Sequence, residues 1–103
     1  MSDTIVSTAS VATERGARYG KQLVSHLGRK SVEVWDEASG SGTLDMGDSA
    51  AHVTLKSTTD ALVITVEAAD TDVAAYQDIV GRHLERFGER DGLKVHWVRS
   101  EAK

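Results

Sequence analysis

Four histidines are the side chains in this 103-residue chain best suited to chemistry: His26, His52, His83 and His96. Neutral imidazole is a common ligand for iron, zinc and copper, and two imidazoles with one carboxylate make a divalent metal site. His26 and His83 each fall on the apolar stripe of an expected helix, so they are paired here as metal or ligand-binding candidates. Glu67, Asp36 and Glu37 are the carboxylates that can complete the set if the fold brings them near. Neither histidine belongs to an HExxH or ExxH spacing, so there is no local chelate. The competing reading is structural, with each ring filling a helix margin and hydrogen-bonding a backbone carbonyl or a carboxylate. His52 and His96 alternate away from the inward residues of their expected strands. With Glu67, Thr54 and Thr65 they line a sheet face that can hold a small ligand, or they are simply exposed.

Other chemistries have weaker footing. Cysteine is absent, which excludes disulfides, thiolate nucleophiles and cysteine-ligated metals. The acidic turns at Asp36-Glu37 and Asp45 to Asp48 lack the order of an EF-hand loop. Ser39-Gly40-Ser41-Gly42 does not lead from a strand into a helix and so is no phosphate cradle. No nucleophile and base are paired by spacing, which favours a binding domain over an enzyme. No cofactor is implied beyond a divalent metal at the histidines.

The elements that position these residues follow from periodicity. Asp70 to Arg90 places Val73, Tyr76, Val80, His83, Leu84 and Phe87 at helical spacing, which predicts one helix of about five turns. An earlier helix is expected from a Thr13 cap to Leu27, with Tyr19, Leu23, Val24 and Leu27 inward and Gly28 as its stop. Gly16 and Gly20 lie on the same side, where they allow close approach to another backbone. Strands are expected at 5–12, 32–36, 42–46, 51–57, 61–69 and 93–99, with 100–103 frayed. On the fifth, Leu62, Ile64 and Val66 face one way and Val63, Thr65 and Glu67 the other. The order β-α-β-β-β-β-α-β predicts an α+β two-layer domain, an antiparallel sheet with two helices on one face, laid out as in TATA-binding-protein-like or helix-grip folds. One domain is expected over 1–103, with an ordered core of about 5–99.

Charge is unevenly spread. Residues 31–72 carry one basic side chain, Lys56, against nine acidic ones, whereas residues 1–30 carry five basic and two acidic. Polyanions are repelled by the middle third, so nucleic acid is not an expected partner. No basic-then-apolar leader and no run near 18 apolar residues is present, so no membrane association and a cytoplasmic location are expected. A small molecule or a protein is the expected partner, with the chain a monomer or homodimer. Trp35 or Trp97 is the expected contact if it self-associates.

The chain also echoes itself. Ala17-x-Tyr19 with His26-Leu27-x-Arg29 matches Ala74-x-Tyr76 with His83-Leu84-x-Arg86 at a constant offset of 57 residues. A real repeat implies a pseudo-twofold axis and equivalent settings for His26 and His83.

Several segments resemble a known family. VEAAD at 66–70, RHLERF at 82–87 and Arg90-x-x-Leu93-x-Val95-x-Trp97 are similar to the small bacterial proteins of domain-of-unknown-function family 2218. STASVAT at 7–13, Arg18-Tyr19 with Lys21-Gln22-Leu23, His26, Lys30 and the turn from Asp36-Glu37 to Gly42 add to the likeness, which spans about residues 5–99. Glu89 stands where the family often has Phe, and Gly92 where it often has Glu, which implies a looser helix exit. The resemblance implies a compact α+β accessory or binding domain and, through gene neighbourhoods, a link to iron or siderophore handling. It carries over no catalytic residue.

Overall fold

The computed structural model describes residues 4–27, 33–36, 38–46 and 51–101. Its elements are β1 (Thr4–Ala12), α1 (Gly16–Leu27), β2 (Glu33–Asp36), β3 (Ser41–Met46), β4 (Ala51–Ser57), β5 (Ala61–Ala69), α2 (Val73–Phe87), a 3-10 turn (Glu89–Asp91) and β6 (Trp97–Glu101). The strands form one antiparallel sheet in the order β2-β3-β4-β5-β1-β6. Alternation sets its two faces. Val53 and Leu55 on β4 and Leu62, Ile64 and Val66 on β5 are buried beneath the helices, while their neighbours in sequence point away. Leu23 and Val24 of α1 and Val73, Val80 and Leu84 of α2 close the core from above. The two-layer α+β arrangement is therefore the one the periodicity predicts.

Boundaries differ where a local hydrogen bond outcompetes the helix or strand pattern. The Thr13 hydroxyl accepts from Arg15 N at 3.0 Å and holds a turn, so α1 starts at Gly16. Asp72 N donates to Ala69 O at 2.8 Å, which delays α2 to Val73 with Asp72 as its cap. At its other end α2 stops at Phe87, not Arg90, because Gly88 leaves room for Leu93 to fold back beneath the chain. Gly92, at φ 66°, then completes the reversal. Residues 93–96 do not join the sheet as expected. Val95 N donates to the Glu85 carboxylate at 3.1 Å, which draws the segment toward α2, and pairing with β1 begins only at Trp97. Pairing continues through Ser100 and Glu101, so those two residues are strand where fraying was expected. Gly28, Val32, Glu37 and the Gly47-Asp48 turn lie outside the described residues.

The two glycines of α1 have different tasks. A Cβ on Gly16 would meet the Ala61 carbonyl oxygen at 2.8 Å, the backbone approach expected of it. One on Gly20 would meet the Trp35 ring at 2.6 Å, so this glycine makes room for a side chain.

The echo in the sequence is an echo in the fold. β1 and β5 span 4–12 and 61–69, and α1 and α2 begin at 16 and 73, all displaced by the same 57 residues. β1 and β5 pair with each other, and Thr8 is paired with Thr65, its own counterpart. A pseudo-twofold axis perpendicular to the sheet therefore passes between these two threonines.

Candidate functional site

The same axis passes through the helix layer at the histidines. Tyr19, near the start of α1, bonds to Asp91 beyond the end of α2, whereas His26 at the end of α1 meets His83. The helices thus run antiparallel, and an antiparallel pair brings a residue beside its counterpart 57 positions away at one level only. That level is His26 and His83, whose ring centroids stand 4.9 Å apart at 47°. Phe87, one turn beyond His83, presents an edge-on ring to both, with centroids 5.4 Å from His26 and 6.2 Å from His83.

One nitrogen of the pair has a fixed role. His83 Nδ1 lies 2.7 Å from the Ile79 carbonyl oxygen, which can only accept, so Nδ1 carries the hydrogen. In the neutral ring this leaves the Nε2 lone pair unprotonated, which is how a backbone carbonyl orients a metal-ligating histidine. The structural role considered for this ring is thus realised at Nδ1 and leaves Nε2 available. His26 is exposed and His83 half-buried, so the pair is open to solvent on one side.

The proposed carboxylate partners stand elsewhere. Glu67 lies on the face of β5 opposite Val66 and Ala68, hence on the side of the sheet away from both helices. It cannot join His26 and His83, because alternation along a strand sends neighbours to opposite faces. Asp36 is occupied in its own hairpin, accepting from Ala38 N at 3.0 Å and Ser39 Oγ at 3.1 Å. Glu37 lies outside the described residues. Among the described residues no group of three or more histidine, cysteine, aspartate or glutamate side chains is placed to hold a metal.

Glu67 instead belongs to a second set. His52 on β4 is flanked across the sheet by Asp45 on β3 and Glu67 on β5, and His52 Nδ1 lies 2.7 Å from Asp45 Oδ1. Asp45 is a partner for His52 that the sequence spacing does not mark, although the antiparallel pairing of β3 with β4 sets the two side by side. His96 is exposed in the segment before β6 and meets none of the other three histidines in a ring contact among the described residues. The four histidines therefore divide among the helix layer, the opposite face of the sheet and the segment before β6.

Both tryptophans sit on the helix-covered side. Trp35 on β2 lines a groove of about 270 Å³ with Ala17, Arg18 and Lys21, and Trp97 on β6 lines one of about 230 Å³ whose α2 wall includes Ala74, Asp78 and Gly81. Each ring is half-buried against its helix.

At the start of α1, Tyr19 Oη donates to Asp91 Oδ2 at 2.5 Å, and Arg15 lies 3.6 Å from the same oxygen. The bond to the carboxylate, helped by burial, raises the Tyr19 pKa above its ordinary 10.0. This cluster ties the start of α1 to the end of α2.

Residues 8–98 match the bacterial family described as "Uncharacterized protein conserved in bacteria (DUF2218)". The chain belongs to this family. The DUF2218 chain is also similar to the NMR structure of PA4090 from Pseudomonas aeruginosa, with 29% identity and a TM-score of 0.69, covering 91% of this chain and 95% of that one. No curated protein matches this DUF2218 chain. No helix among the described residues is long and apolar enough to cross a membrane.

Proposed function

We propose that this DUF2218 chain is a non-catalytic accessory domain that binds a borderline transition-metal ion, or a small complex of one, through His26 and His83. The observation that carries the reading is the spacing of the two rings. Two imidazoles on one tetrahedral ion, with metal–nitrogen bonds of about 2.0–2.1 Å, hold their ring centres roughly 5 Å apart. The observed separation is 4.9 Å. The Ile79 carbonyl supports the reading by directing the His83 proton to Nδ1. With two protein ligands, the remaining coordination positions are open to water or to donor atoms of a bound small molecule.

Imidazole suits zinc, copper, nickel and ferrous iron, whereas ferric iron in a siderophore is already saturated by hard oxygen donors. The iron connection implied by the family resemblance is therefore compatible with this pair as ferrous iron. A ferric siderophore would need the polar sheet face instead.

Titration of chelator-stripped, untagged protein with Zn²⁺ or Cu²⁺, followed by competition with a chromogenic chelator, tests the proposal. One saturable equivalent per chain is expected, with His26→Ala and His83→Ala each weakening binding by about tenfold or more and His52→Ala leaving it unchanged. Equal affinity in all four proteins would overturn it.

A further inference from the structure

The face of the sheet turned away from the helices carries a feature that metal binding leaves unused. Thr43, Thr54, Thr65 and Thr8 stand in register on four adjacent strands, and Val98 extends the row onto β6. Strands lie about 4.8 Å apart, so these five positions make a neutral ridge about 19 Å long. Val98, at its end, is 72% exposed.

Charges flank the ridge unevenly. On one side stand Lys56 and, two strands away at the edge of the sheet on β2, Asp36; on the other lie Asp45, His52 and Glu67, neighbours on successive strands. From these residues we infer that the uncovered face seats a second copy of this chain, related by a twofold axis running along the threonine row.

That operation is self-complementary. It lays each threonine against the same threonine of the partner and exchanges the two sides of the ridge. Lys56 lies two residues beyond Thr54 on β4 and His52 two residues before it, so the partner's Lys56 descends onto His52, between Asp45 and Glu67. The same cluster forms twice. A polyanion would instead meet carboxylates that outnumber the one lysine, which argues against nucleic acid on this face.

Size agrees with a dimer of modest affinity. Six strands about 4.8 Å apart and roughly six residues long offer on the order of 600 Å², somewhat below the ~800 Å² each partner contributes to a standard specific interface. Stacked sheets of this kind pack about 10 Å apart, a gap that threonine and valine side chains fill from both sides.

Sedimentation equilibrium from ~1 µM to ~1 mM protein tests the inference. A monomer–dimer equilibrium is expected, weakened about tenfold or more by Thr65→Arg at the ridge centre and by Lys56→Glu at its side. Thr54→Lys, at an exposed position, serves if Thr65→Arg fails to fold by circular dichroism. Combining Lys56→Glu with Asp45→Lys and Glu67→Lys should restore the dimer, because the charges exchange places. A protein that stays monomeric throughout, or a dimer indifferent to Thr65→Arg or Thr54→Lys, overturns the inference. A dimer weakened by the ridge variants but indifferent to Lys56→Glu, or not restored by the triple variant, overturns the axis.

Discussion

The β1–α1 unit and the β5–α2 unit share a backbone plan but fill it with different volumes. On the core face, β5 carries Leu62, Ile64, Val66 and Ala68, whereas the equivalent positions of β1 carry Ile5, Ser7, Ala9 and Val11. The difference follows from what lies alongside. β5 is flanked by β4, which adds further aliphatic side chains, while β1 is flanked by β6, which sets Trp97 opposite Ala9 and Arg99 opposite Ser7. Arg99 then reaches upward to donate to Gln77 Oε1 at 3.0 Å on α2. A large ring beside β1 needs small neighbours, so bulk removed from one strand returns on the next.

The sharpest way to break this comparison is to truncate equivalent positions. Ile64→Ala should lower the unfolding free energy by about 3 kcal/mol, since a fully buried side chain is replaced by a cavity. Ser7→Ala should be neutral or raise it by up to about 1 kcal/mol, because the fully buried Ser7 Oγ has no hydrogen-bond partner among the described residues. Urea titration of both variants gives the two numbers. If they come out alike, the two units share the core burden equally and the volume argument fails.

The helices give a second, smaller contrast. Gly20 lies 2.6 Å, at its missing Cβ, from the Trp35 ring, while Gly81 would place a Cβ an ordinary 3.4 Å from Trp97 Nε1. Gly20→Ala should therefore destabilise by about 2 kcal/mol. Gly81→Ala should stabilise by up to about 1 kcal/mol through helix propensity alone. Thermal unfolding that shifts in the same direction for both would show that the two tryptophan seats are built alike.

The smallest expected effect separates the helix ends. Tyr19→Phe removes the bond to Asp91 and should lower stability by about 1 kcal/mol at neutral pH. The raised Tyr19 pKa also gives stability a pH dependence. The contribution is fully present below pH 10, where the unfolded tyrosine keeps its proton, and is lost as pH rises through the higher folded value. Unfolding curves above pH 10 should fall more steeply for the natural chain than for Tyr19→Phe.

Much of this was legible in the sequence, for reasons particular residues make clear. The alternation of Leu62, Val63, Ile64, Thr65 and Val66 identified both faces of β5, and it already placed Glu67 away from the helices, at odds with its candidacy beside His26 and His83. The match of Ala17, Tyr19, His26 and Leu27 with residues 57 positions later marked the two histidines as counterparts. It did not say that they touch, because that depends on the antiparallel crossing of the helices. The ends of α2 and β6 were not legible. They depend on Asp72, Glu85 and Leu93, whose hydrogen bonds and packing reach across the turn and leave no periodic trace.

A strand that pairs with its own repeat about an axis has the geometry of two polypeptides joined into one. For the Thr8–Thr65 pairing this means that the centre of the sheet would close equally well between separate copies of a single strand–helix unit. The hairpins that carry β2, β3 and β4 occupy the flank of only one repeat, and so make the fused pair lopsided where an assembly of identical pieces would be balanced.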